Sequence, residues 1–413
     1  MVSFSNVLIA LGGAIALVAV IITWELRRRN VHYWLGSYLA HSLDHRKSVD
    51  SIGDIHVLLC IADHFEPGWG QAGPADADKR VEAWTTRYRQ LFAGFRDSDG
   101  HPPRHTFFYP IDEYEPRHVD ALARLCREGF GEVEIHLHHD NDTADHLDRN
   151  LQDFVRVFSQ RHGLLGRSST DRPVYAFVHG NWALDNSRPD GRWCGVNNEL
   201  EVLQRTGCYA DFTLPSAPDA TQTRKINSIY YAIGREHCCK SHDTGIDVAR
   251  LPAPDRGLML IQGPLLFGWS KGKLFPGIEN GCIQHNQPPT MARLDRWMKA
   301  NVHVPSRPDW LFVKLYTHGA VEVNSQVLLG GAMVDFHRSL AERAKRDNRF
   351  HFHYVTAREM YNLAKAAEAG WKGPVEAARN FAITPPQFNA SQTGIRRAAS
   401  ATTCHSAADS TNG

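Results

Sequence analysis

Short apolar runs of β type, most of them separated by helical stripes, constrain this chain of 413 residues more than any other feature. They are IHVLLCIA (55–62), RHTFFYP (104–110), EVEIHLH (132–138), PVYAFVH (173–179), YADFTL (209–214), GLMLIQG (257–263), WLFVKLY (310–316) and FHFHYVT (350–356). Strands buried on both faces read as near-continuous apolar runs, because helical crossovers cover both sides of a parallel sheet. Between the runs, Val81, Trp84, Tyr88, Leu91 and Phe95 recur at helical spacing. So do Leu147, Leu151, Phe154 and Phe158, and then Leu329, Met333, Phe336 and Leu340. The pattern predicts an α/β fold: a (β/α) barrel, distorted or incomplete, with an open doubly wound sheet as the alternative. From Thr213 to Arg256 the rhythm breaks, with an extra strand at NSIYYAIG, and an insertion over the active face is expected there.

The N-terminus adds a second constraint. Val7 to Trp24 carries no charge and is followed by Glu25, Leu26 and Arg27-Arg28-Arg29. That length suits a bilayer core of about 30 Å. A cleavable signal peptide places its basic residues before the apolar run; here they follow it, so residues 1–29 read as an uncleaved, single-pass transmembrane helix in an inner or plasma membrane. Basic flanks stay cytoplasmic, and MVSFSN has none, which predicts a cytoplasmic large domain. The 8 cysteines lack disulfide-scaffold spacing and agree with reduced thiols. In the juxtamembrane segment 30–53, Tyr33, Trp34 and Tyr38 either sit at headgroup level or belong to a first helix packed on the domain. The large domain is expected over 54–372, and the composition of 373–413 predicts a disordered tail. With 46 basic and 45 acidic residues, the chain has no basic surplus for a nucleic-acid partner.

In a parallel barrel, reactive groups belong at the C-terminal ends of strands. The first run ends Asp63-His64-Phe65-Glu66, the fourth His179-Gly180-Asn181-Trp182, and the seventh Tyr316-Thr317-His318-Gly319. The third ends His136-Leu137-His138-His139-Asp140-Asn141-Asp142. Any one such residue caps a helix as readily as it does chemistry; several ends converging favour a site. His136 to Asp142 offers imidazole and carboxylate ligands suited to zinc or a similar divalent ion. His136 and His138 share a face if the strand persists, and His138 and Asp142 share one if a helical turn begins there. His237-Cys238-Cys239 with His242-Asp243 matches no standard zinc spacing, and no Gly-x-Ser-x-Gly elbow is present.

The order of these motifs resembles the polysaccharide deacetylase (NodB-homology carbohydrate esterase) family, within the wider glycoside hydrolase/deacetylase barrel superfamily, over roughly residues 54–365. The resemblance implies Asp63 as catalytic base, His64, His138 and Asp142 as metal ligands, and His318 as general acid. It also implies a divalent metal, zinc by its ligand types, and hydrolysis of the acetamide of an N-acetylated sugar in a glycan or lipid-linked glycan. His179, Asn181, Trp182 and Asp211 are expected to contact that sugar. Two family features are missing. The Arg before a Pro-Pro-Tyr turn has no counterpart, and of an Asp-Trp pair only Asp211 lies near the right place. Two other readings follow: a glycosidase of the same superfamily using Asp63 and Asp211 as paired carboxylates, or a non-catalytic carbohydrate-binding or scaffold protein.

Overall fold

The computed structural model describes residues 4–45, 53–235, 238–249, 252–268 and 276–387. Helices α1 (Phe4–Arg28) and α2 (Leu35–His45) precede β1 (Ile55–His64), α3 (Pro74–Phe92), β2 (His105–Pro110), α4 (Pro116–Arg127), β3 (Gly131–Leu137) and α5 (Ala144–Arg156). Next come β4 (Gly166–Arg167), β5 (Pro173–His179), α6 (Glu199–Thr206), β6 (Cys208–Asp211), β7 (Ile229–Ala232), β8 (Ile246–Asp247) and β9 (Leu258–Ile261). The chain continues through β10 (Leu266–Gly268), β11 (Gly277–Glu279), α7 (Met291–Lys299), β12 (Trp310–Thr317), α8 (Glu322–Leu328), α9 (Gly331–Arg346), β13 (Phe350–Tyr354) and α10 (Ala357–Glu368). Each apolar run of the sequence overlaps one of these strands.

They build an α/β protein around a large, mostly parallel sheet of 11 strands. Its parallel path runs β12-β1-β2-β3-β5-β6-β9. β13 pairs with the first half of β1 and β2 with its last residues, so both fit along one edge of that strand. The expected extra strand is β7, antiparallel to β9, with β8 antiparallel beyond it. β9 and β12 do not pair. At that seam Lys314 Nζ donates to the carbonyl of Phe212 (2.8 Å), and Ile283 N–H donates to Tyr316 O (2.8 Å).

Alternation along the strands separates two apolar layers. Val57, Leu59 and Ile61 of β1 pack with Trp84 of α3 and Leu122 of α4. Leu58, Cys60 and Ala62 face the other way, with Phe108, Val178, Phe212 and Phe312, and α10 adds Met360 and Leu363 to that layer. Trp84 is fully buried, so Trp84→Ala would cost about 3–5 kcal/mol in lost transfer energy and cavity.

Two expected boundaries shift. Trp34 is buried and stacks on Phe267 with centroids 4.9 Å apart, and Tyr38 meets the same ring edge-on. With Val31, Ala217, Ile226 and Leu265 they form a small third cluster, and His41 Nε2 donates to Ala300 O (2.7 Å). Residues 31–41, a 3-10 turn and the start of α2, therefore pack on the domain. At the other end the folded domain passes Lys372. Val375, Ala378 and Ile383 are buried, Arg379 pairs with Asp97 and Asp99, and Thr384 bridges to Arg167. A few apolar and ionic anchors suffice to dock a segment whose average composition is polar. Residues 388–413 of the expected tail lie outside the described residues. Among the described residues no helix is long and apolar enough to cross a membrane; the side chains at positions 5, 7, 8 and 10 of α1 are not among those described.

Candidate metal centre at the strand ends

His64 is the last residue of β1 and lies on the same side of the strand as Ala62, the side away from the α3 layer. There it meets His136 of β3 (ring centroids 4.9 Å) and His318 after β12 (4.8 Å). Glu66 follows two residues later. Ligand atoms of His64, Glu66 and His136 lie within 4.8 Å of one another, and all three residues are buried. The hydrogen bonding explains why a cation belongs among them. His136 Nδ1–H donates to the Val178 carbonyl (3.1 Å), which leaves a lone pair on Nε2 of the neutral ring. That Nε2 lies 2.8 Å from Glu66 Oε1, so a proton or a metal ion must sit between two acceptors. His64 Nδ1 and Glu66 Oε2 are buried without a partner. Two imidazoles and one glutamate are a ligand set of catalytic zinc sites.

The surroundings supply proton-transfer groups. His138 faces Glu66 through Nε2 and Asp112 through Nδ1, both at 3.1 Å. Burial alone would lower its pKa, but the hydrogen bonds to Asp112 and Glu66 raise it to about 10. Glu66 shows the reverse balance: burial resists its ionisation, yet His136 and His138 hold it well below the usual carboxylate range. Burial lowers the pKa of His318, against the opposing charges of Glu66 and Asp63, so its ring is neutral near pH 7. Gly180 lies under His138; a Cβ there would come within 2.3 Å of the imidazole. The rim is aromatic. Trp69 is 46% exposed with its ring 5.2 Å from His318, and Trp182 lies 5.9 Å from both His64 and His318. Trp182 has φ 55°, a left-handed backbone that is costly for a bulky residue and that tends to occur at functional sites.

The other expected site residues are placed differently. Asp63 points to the helix side, where its carboxylate accepts His105 Nε2–H (2.8 Å) and the Gly319 N–H (2.6 Å). It anchors the peptide next to His318. Asp142 does not join His64 and His138, because α5 begins only at Ala144 and no helical turn aligns them; it pairs with His139 and His146 instead. His179 is fully buried and belongs to a second group with His139, Cys194 and Glu199. Asn181 is partly buried, and its N–H reaches His179 Nδ1 (3.3 Å). Asp211 is buried and accepts from the Thr213 N–H and hydroxyl; Thr213 Oγ1 in turn accepts the His179 N–H (2.9 Å). Neither carboxylate of the glycosidase reading is free to flank a sugar. His237 lies outside the described residues. A third group, Asp97, Asp99 and His353, already holds the Arg379 guanidinium as its cation.

Glu66 and Asp112 were not among the residues singled out as ligands or catalysts, and His136 was offered only as a member of the His136–Asp142 cluster, outside the ligand set that the resemblance implies. The signal for His136 was its parity with His138 along β3, and for Glu66 its spacing of two from His64. Nothing local marks Asp112. The chain matches no protein family and no curated protein.

Proposed function

We propose that this chain is a metal-dependent hydrolase, resembling the polysaccharide deacetylases, that removes acetyl groups from an N-acetylated sugar. The observation that carries the proposal is the convergence of His64, Glu66 and His136, with His138 and His318 beside them, at the C-terminal ends of neighbouring parallel strands. We read the sheet as an incomplete (β/α) barrel, open at the β9–β12 seam, with this group at its mouth. His64, Glu66 and His136 would hold a divalent ion, zinc by ligand type, which supplies a polarised carbonyl and an acidified water. The neutral ring of His318 takes up the proton of the attacking water, and His138, held protonated by Asp112 and Glu66, protonates the leaving amine. Asp63 keeps His318 in place through Gly319. Trp182 and Trp69 offer flat apolar faces to a sugar ring, with Asn181 as a polar contact at the rim.

We further propose that α1 anchors the domain to a membrane, with the domain on its cytoplasmic side, where a lipid-linked glycan would be in reach. Ile15, Leu17, Val18 and Val20 of α1 are exposed, and basic Arg27 and Arg28 close the helix. The test is acetate release from a panel of N-acetylated glycans by the purified chain, before and after chelation. Release that stops on chelation and returns with zinc is expected. Release indifferent to chelation, or none from any glycan at full metal loading, overturns the proposal.

A further inference from the structure

The second histidine group carries an inference independent of the one above. One ring nitrogen each of His139 and His179, Cys194 Sγ and a Glu199 oxygen come from three separate pieces of chain, yet lie within 4.8 Å of one another. His179, Cys194 and Glu199 are fully buried. His179 Nε2 has no hydrogen-bond partner, and neighbouring Asp185 Oδ1 lacks one too, although the Asp185 N–H donates to Glu199 Oε2 (2.6 Å). His139 is held between two carboxylates: Nδ1 is 3.1 Å from Asp142 and Nε2 is 3.1 Å from Glu199. A neutral ring has one N–H and cannot satisfy both, so a proton or a metal ion must lie on the Glu199 side.

We propose that His139, His179, Cys194 and Glu199 form a closed, structural zinc site. Two imidazoles, a thiolate and a carboxylate complete a tetrahedron with no place for substrate, the mark of a structural rather than a catalytic centre. Thiolate and imidazole together select zinc over calcium or magnesium. Asp142 then accepts the His139 Nδ1–H as an outer carboxylate, itself tied to the site because its N–H donates to Cys194 O (3.0 Å). Binding releases the Cys194 thiol proton and the proton between His139 and Glu199 to solvent. Ligation through His179 Nε2 puts the ring proton on Nδ1, so the Asn181 N–H contact there must open. The bond energy goes to segment 180–198, which contains no strand and no helix beyond one short 3-10 turn, stapling it to the end of β3.

Cobalt(II) tests this on the full chain in detergent, since a thiolate ligand gives cobalt a near-ultraviolet charge-transfer band. After chelation, titration is expected to produce that band. Cys194→Ser should abolish it, while a Cys238→Ser/Cys239→Ser variant, which removes the exposed thiols among the described residues, keeps it. His64→Ala should remove one equivalent of bound cobalt and leave the band, which separates this site from the open centre. If Cys194→Ser does not fold, His179→Gln serves, with loss or a marked weakening of the band expected. No band at saturating cobalt, or a band that survives Cys194→Ser, overturns the assignment.

Discussion

The end of β3 feeds two groups that could hold a metal ion, and they differ in how they meet solvent. His136 and His138 project to the open group, whose neighbours Asp112 and Trp69 reach the surface. His139, one residue on, turns to the closed group, where Cys194, Glu199 and His179 have no exposed surface. Both groups place imidazole against carboxylate, so the shared chemistry does not distinguish them. Openness does, together with the proton-transfer groups around the first and the thiol in the second. A reactive centre must leave a position for water and substrate, whereas a structural one gains by filling every position.

That contrast breaks most visibly at the ligands. His136→Ala should bring turnover to background and remove metal from the open centre only, checked by metal analysis beside acetate release; loss of the cobalt–thiolate band in the same variant would mean that the two groups are one site. His318→Ala should keep both metals and reduce turnover about 100- to 10,000-fold. A reduction of only a few fold would remove His318 from the chemistry.

Asp63→Asn sharpens the comparison between positioning and catalysis. Its partners His105 and Gly319 are buried structure, so the variant should lose about 1–3 kcal/mol of stability and far less rate than His318→Ala. A rate loss equal to that of His318→Ala at unchanged unfolding midpoint would restore Asp63 as the base.

The smallest effect comes from a histidine remote from both groups. Burial among Phe92, Phe95 and Phe336 lowers the pKa of His337 to about 3. Above about pH 6.5 it is neutral both folded and unfolded and adds no pH dependence. Below that, the unfolded chain takes the proton first, so stability falls as pH drops toward 3 and levels off below it. His337→Gln should flatten this acid slope by up to about 1.4 kcal/mol per pH unit, measured by denaturant unfolding of the chelated chain. An unchanged slope would show that His337 does not titrate between the two states.

The strands were legible because both of their faces are buried, which turns them into apolar runs that stand out at any composition. The insertion was legible through its extra aromatic strand. The meeting of His64, His138 and His318 was legible because strand ends are where a parallel sheet exposes side chains. Asp142 was misassigned because the sequence does not say whether the strand or a helical turn follows Leu137, and that choice decides which partner shares a face. His179 was read as a sugar contact, since nothing near it in sequence announces Cys194 and Glu199. Their meeting depends on an irregular connection, which has no periodicity to read.

The proposed chemistry rests on a metal ion held by His64, Glu66 and His136. Anomalous diffraction at the zinc edge from crystals of the zinc-loaded chain tests it most directly. A peak at bonding distance from His64, Glu66 and His136 is expected. An active, zinc-loaded protein with no peak there, or with the peak between His138 and Asp142, would contradict it.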